Sequence, residues 1–149
     1  MKYWLMKSEP DEFSIDDLAR KKKEPWSGVR NYQARNYLRE MRVGDGVLFY
    51  HSSCDEPGVA GIAEVMTDAH PDPTQFDPKS DYYDPASPPN APRWDQVDVQ
   101  FVKAFEQPLS IEKIRGLPAL GDMVLVKNTR LSVQPVRPEE WQYLIAQLK

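Results

Sequence analysis

The chain is poor in the residues that staple or ligate. Its 149 residues hold one cysteine, Cys54, and two histidines, His51 and His70. A single cysteine excludes an internal disulfide and fits a reducing compartment. So few Cys and His side chains cannot build a four-ligand zinc site, and no carboxylate spacing resembles an EF-hand. No metal or other cofactor is therefore expected. Glycine is scarce as well, at seven residues. Gly44-Asp45-Gly46 is read as a turn before a strand, not as a G-x-G-x-x-G phosphate loop. No apolar run approaches the ~18 residues of a membrane span. The apolar part of Met1–Lys7 is too short for a secretion signal. A cytoplasmic, membrane-free setting is expected, nucleoid-associated in a bacterium or nuclear in a eukaryote.

What is present fits one globular domain over 1–149, with 40% hydrophobic and 28% charged residues. The formal net charge is -4, yet the charge is unevenly placed. Between Arg20 and Arg42 eight basic residues face only Glu24 and Glu40, while 50–100 carries ten acidic residues against Lys79 and Arg93. A mildly acidic total thus hides a basic stretch, the local footprint of a polyanion partner or simply a solvated face.

The periodicity predicts strands over Tyr3–Lys7, Val47–His51, Val59–Val65, Trp94–Phe105, Met123–Val126 and Arg130–Val136. Ser14 with Asp17 reads as an acidic capping box opening a helix from Ile15 towards Arg20. Ala34, Tyr37, Leu38 and Met41 form one face of a second helix, with Asn31 as its N-cap. Ser110 is expected to cap a short helix, and Pro138 to open a last one. Seven of the fourteen prolines lie in 71–92, read as one long loop. Consecutive strands joined by short turns suggest an α+β fold built on a mostly antiparallel sheet, curled or closed.

The segment 26–36, "WSGVRNYQARN", concentrates an indole, a glycine and two guanidiniums beside a helix start. Trp26 is read either as core or as a stacking platform for a base. Lys7-Ser8-Glu9 and His51-Ser52-Ser53 are polar clusters at strand ends. Neighbours on an extended chain point to opposite sides, which argues against Lys7, Ser8 and Glu9 converging. Ser132 and Gln134 alternate with Leu131 and Val133. No orienting acid accompanies His51 and Cys54, so a Cys–His nucleophile is not expected.

Seven segments together resemble the EVE domain family, of the thymocyte nuclear protein type. They are "YWLMKSEP" at 3–10, "WSGVRNYQARN" at 26–36, "GDGVLFYHSS" at 44–53, "GVAGIAEV" at 58–65, "DPTQFDPKS" at 72–80, "PRWDQVDV" at 92–99 and "RLSVQPVRPEEW" at 130–141. Where the family often has Asn after the His-Ser pair, this chain has Ser53 and Cys54. The resemblance implies a PUA-like fold, a curled or pseudo-barrel sheet flanked by short helices and similar to that of the YTH domains. It implies a module that binds a modified base, a modified cytosine in DNA first and RNA second. The base-binding residues it implies are Lys7, Ser8, Glu9, Trp26, Gly28, Val29, Arg30, Asn31, Ser52, Trp94, Leu131, Ser132 and Gln134. Arg35 and Arg39, with Arg30, are expected to hold phosphates. Trp26→Ala is then expected to remove binding and leave the fold intact. The partner is nucleic acid and the module a monomer. Two alternatives stay open: a small amidohydrolase on an acylated cytidine using Lys7 and Glu9, and a protein-interaction module using 71–92.

Overall fold

The computed structural model describes residues 1–128 and 130–148. In chain order the first elements are β1 (Tyr3–Ser8), α1 (Ile15–Lys21), β2 (Lys23–Pro25), α2 (Tyr32–Glu40), β3 (Gly46–His51) and β4 (Gly58–Val65). The small strands β5 (His70–Pro71) and β6 (Asp95–Gln96) pair with each other and bracket the proline-rich loop. The long β7 (Asp98–Ser110), α3 (Ile111–Arg115), α4 (Val124–Lys127), β8 (Val133–Val136) and α5 (Pro138–Gln147) follow.

Six strands form one sheet in the order β2-β7-β4-β3-β1-β8. Its register shifts once between β3 and β4 and twice between β4 and β7. Such bulges bend and twist strands, and the sheet curls into a half-barrel with short helices outside it. This is the α+β, PUA-like architecture that the resemblance implied. The sheet is mostly antiparallel, but β1 and β3 run parallel, with Lys7 beside Tyr50 and Ser8 beside His51.

Both faces of the central strands are buried, so they read as continuous apolar runs. Trp4, Met6, Val47 and Phe49 join Leu18 of α1 and Leu38 of α2 on one face. Leu5, Leu48 and Tyr50 join Ile114, Leu125 and Leu144 of α3, α4 and α5 on the other. Period-two alternation divides each strand between the two cores.

The helix starts obey local chemistry. Ser14 accepts from the Asp17 N–H at 3.1 Å, and the Asp17 carboxylate accepts from the Ser14 N–H at 2.8 Å. Asn31 Oδ1 accepts from the Ala34 N–H at 2.9 Å, and Ser110 Oγ from the Lys113 N–H at 3.2 Å.

Three strand expectations are corrected. Met123–Val126 is not a strand. The sheet's edge strands are β2 and β8, and this segment pairs with neither. It closes its own bonds instead, as Asn128 N–H to Val124 O at 2.6 Å, and forms α4. Trp94–Phe105 divides at Val97 into β6 and β7, and β7 runs on to Ser110. Arg130–Val136 shortens to β8. The strand β2 lies inside the basic tract, where Pro25 sits at the sheet edge.

His51 has a part in the fold that its sequence neighbours do not suggest. The Ile15 N–H, one of the unpaired donors at the start of α1, donates to His51 Nε2 at 3.1 Å. The ring is therefore neutral and carries its proton on Nδ1. Burial holds its pKa below the ordinary 6.5, with Asp16 pulling weakly the other way. In acid the unfolded chain binds this proton more readily than the folded one. The stabilisation is thus complete above about pH 6.5 and lost as pH falls through the folded pKa. Urea titrations at about pH 7.5 and pH 5 are expected to show a lower midpoint in acid. His51→Gln is expected to remove most of that drop; an unchanged drop would assign it elsewhere.

Candidate functional site

The parallel pair β1/β3 brings two strand ends to one edge of the sheet. Beyond Ser8 the chain turns, and the Glu9 carbonyl accepts from the Glu12 and Phe13 N–H groups, each at 2.9 Å. The Ser52 N–H donates to Ser8 O at 3.0 Å, and the Lys7 N–H to Ser132 O at 2.9 Å. These bonds knit the ends of β1, β3 and the approach to β8 around a cavity of about 860 Å³. On the side of α1 and α2 its wall holds Phe13, Trp26, Gly28, Val29 and Tyr82, with Glu9, Glu12 and Glu24 at the rim. On the side of α3 and α4 the wall holds Tyr50, Ile111, Leu125 and Ser132, with Arg115 and Arg130 at the rim.

The Trp26 turn is held from outside. Gly28 has φ +86°, in the left-handed region, and its N–H donates to Asp72 Oδ2 at 2.7 Å. A Cβ here would lie 2.8 Å from the Tyr82 ring, so only glycine admits that ring as a wall. Arg30 uses all five of its N–H donors. Nε and Nη2 reach Tyr82 O at 3.0 and 2.8 Å, Nη1 reaches Val29 O and Asp72 Oδ2 at 2.9 and 3.1 Å, and Nη2 reaches Thr74 Oγ1 at 2.9 Å. The guanidinium also lies over the rings of Tyr82 and Trp94, at 5.7 and 5.5 Å.

The proline-rich loop is thereby pinned and ordered. Gln75, fully buried, donates to Asp72 O and Trp94 O at 2.7 and 2.8 Å. Its Oε1 accepts from Ser87 Oγ and the Trp94 N–H at 2.7 and 3.2 Å. A fully satisfied buried amide replaces the apolar core that this loop lacks.

The EVE domain pattern matches residues 2–147. The chain belongs to the EVE domain family. It is 42% identical over 164 residues to human thymocyte nuclear protein 1, an alignment covering 97% of this chain and 72% of that protein. Among solved structures, a hypothetical protein from Leishmania major superposes with a TM-score of 0.96 at 49% identity, covering 99% of this chain and 94% of that one. The human THYN1 protein, solved in complex with 5-methylcytosine-containing DNA, gives 0.95 at 40% identity, covering 99% and 97%.

In this EVE domain the residues singled out from the sequence divide into two groups. Lys7, Ser8, Glu9, Trp26, Gly28, Val29, Arg30, Ser52 and Ser132 all line the cavity. Lys7, Ser8 and Glu9 do converge, because β1 ends at Ser8 and the following turn folds Glu9 back. Asn31, Trp94, Leu131 and Gln134 are not on its wall. Asn31 caps α2, and Leu131 is 4% exposed in the core. Gln134, 1% exposed, donates to Leu131 O at 2.7 Å. Trp94 stacks on Tyr32 with centroids 4.8 Å apart, and its Nε1–H donates to Asp84 at 2.7 Å, holding that carboxyl below its usual pKa.

Arg35 donates to Arg93 O at 2.9 Å and to Asn36, and Arg39 pairs with Asp95 at 2.5 Å. Both therefore brace α2 against the 71–96 segment. Phe13, Tyr82, Arg115 and Arg130 are wall residues that sequence reasoning did not find. Only Tyr82 carried a signal, as half of an aromatic pair in a polar loop.

Two groups in the cavity feel its desolvation. Burial lowers the Lys7 ammonium below its ordinary pKa, with Nζ 5.6 Å from the Tyr50 ring centroid. Burial likewise raises the Tyr50 phenol. The Ser8 hydroxyl donates to Phe13 O at 2.6 Å. Its proton is spent, so towards the cavity Ser8 can act only as an acceptor.

Proposed function

We propose that this EVE domain is a reader of a modified cytosine in DNA, taking the flipped base into the cavity at the ends of β1 and β3. The observation that carries the reading is this cavity, walled by aromatic and polar groups, in a chain that superposes on the DNA-bound human THYN1 protein over nearly its whole length. Its volume falls in the range of about 300–1,000 Å³ usual for small-ligand sites. The groups present suit a cytosine. Its exocyclic amine donates, and Ser8 and the rim carboxylates of Glu9, Glu12 and Glu24 accept. Phe13, Trp26 and Val29 offer apolar surface to a 5-methyl group. Burying one such group is worth about 0.8 kcal/mol, roughly fourfold in affinity. Extrusion costs a few kcal/mol and stacking returns ~1–3, so edge and phosphate contacts supply the surplus. The reader acts as a monomer, which sedimentation with and without DNA checks.

The test is a tryptophan-fluorescence titration with otherwise identical oligonucleotides carrying cytosine or 5-methylcytosine. Saturable binding that favours the methylated strand and weakens with salt is expected. No response at low salt would sink the reading and leave the family likeness as a matter of fold.

One observation favours a second reading. Lys7 and Glu9 share the cavity, and desolvation leaves more of Lys7 as the neutral amine than of an exposed lysine. An amidohydrolase on an acylated cytidine would use that pair. Release of free acid from such a nucleoside decides for it, and recovery of intact nucleoside decides against it.

A further inference from the structure

The arginines that the sequence offers as a phosphate face are already engaged. Arg20 pairs with Asp17, Arg30 with Asp72, Arg39 with Asp95, and Arg93 with Asp84. Arg35 and Arg42 donate to neighbouring carbonyls, and Arg137 pairs with Glu140. These are seven of the nine arginines. Among the described residues, the guanidiniums of Arg115 and Arg130 make no hydrogen bond and no ion pair. Both side chains are exposed, and both line the same cavity.

Their place in the fold gives the cavity a polarity. Arg115 ends α3, on the sheet face packed by α3, α4 and α5, and Arg130 lies between α4 and β8. Glu9, Glu12 and Glu24 lie beside the elements of the opposite face, where Phe13 packs on its core. With Glu24 paired to Lys21, the carboxylates of Glu9 and Glu12 repel phosphodiesters on one side, and two uncompensated guanidiniums attract them on the other. Arg suits this work, since its planar fork matches two phosphate oxygens at once.

We propose that Arg115 and Arg130 are the phosphate-binding residues of this domain, so that the nucleic-acid backbone crosses the α3/β8 side of the cavity and not the α2 helix. The inference rests on the reading of the site as a base pocket and adds the direction in which the strand runs. With the base between Trp26 and the glutamates, its own phosphates meet the arginine rim. Arg35 and Arg39 remain braces of α2.

The experiment measures affinity for a 5-methylcytosine-containing oligonucleotide over about 50–200 mM salt. It compares the wild type with Arg115→Ala, Arg130→Ala, the double variant and Arg35→Ala. Each rim substitution is expected to reduce the slope of log K against log salt by about one, and the double variant by about two. Arg115→Lys keeps the slope because it keeps the charge. The loss in the rim variants is expected to be larger for the oligonucleotide than for the free methylated nucleoside, which carries no phosphate, and their thermal midpoints stay at the wild-type value because both side chains are exposed. Arg35→Ala leaves the slope as it is. A wild-type slope in the double variant, with oligonucleotide binding intact, overturns the rim and leaves the base pocket standing. A lower slope in Arg35→Ala returns the backbone to α2 and overturns it too. If the wild type binds no oligonucleotide and no nucleoside, both the base pocket and the rim fall.

Discussion

Asp72→Ala is expected to cost about 3–5 kcal/mol, because it leaves the half-buried Arg30 guanidinium, the Gly28 N–H and Thr74 without their acceptor. Asp72 has no solvent exposure. Its two oxygens accept from the Gly28 N–H at 2.7 Å, Arg30 Nη1 at 3.1 Å, and the Thr74 N–H and hydroxyl at 2.8 and 2.5 Å. One carboxylate thus joins the Trp26 turn, the guanidinium and the proline-rich loop. A domain of marginal stability, roughly 5–15 kcal/mol, feels such a loss strongly. The Tyr82 wall is expected to detach with the loop, so base binding falls even in the fraction that stays folded. Asp72→Asn keeps the shape and loses the charge, and its effect should be intermediate. Urea unfolding and limited proteolysis within 71–92 check this. A wild-type midpoint with an uncut loop would show that the carboxylate is not the tie we describe.

Trp26→Ala is expected to cost about as much, ~3–5 kcal/mol, through a different term, the cavity left by a buried indole. Trp26 is 9% exposed and meets Phe49 edge-on, with centroids 5.4 Å apart and planes at 85°. It is at once a core residue and a wall of the site. The expectation that its alanine variant stays folded while losing the ligand is therefore corrected: stability and binding fall together. Trp26→Phe separates the two roles, since it fills most of the space and presents a smaller stacking face. It should keep most of the stability and weaken binding of the methylated strand. Thermal unfolding of both variants beside the titration is the check, and an alanine variant as stable as the wild type would place Trp26 outside the core.

The features legible in the sequence share one property: both partners are near in the chain. Ser14 with Asp17, Asn31 with Ala34, and Ser110 with Lys113 are three residues apart, so the residue types alone specify the bond. The apolar runs at 3–6 and 46–50 announce buried strands for the same local reason. Whole-chain motif order also identified the family, and with it the fold and nine of the wall residues. Alternation along one strand was not enough to place Ser132 in the cavity and Gln134 in the core. Propensity alone made 123–126 a strand, whereas in the fold its backbone closes bonds within the segment, as Asn128 N–H to Val124 O, and forms α4.

What tertiary structure decided is the employment of long and charged side chains. Arg30 looks like an anion ligand beside a helix start, yet its partners Asp72, Thr74 and Tyr82 lie more than forty residues away and leave it no free donor. Arg35 and Arg39 are likewise claimed by Arg93 and Asp95 across the fold. Arg115 and Arg130, unremarkable in their own neighbourhoods, are left uncompensated where the curled sheet brings α3 and β8 beside the ends of β1 and β3. A helix cap closes within one turn of chain, and its energy is set by neighbours. A guanidinium reaches several ångströms and takes whichever carboxylate or carbonyl closure of the sheet presents, so its role is written only in the folded molecule.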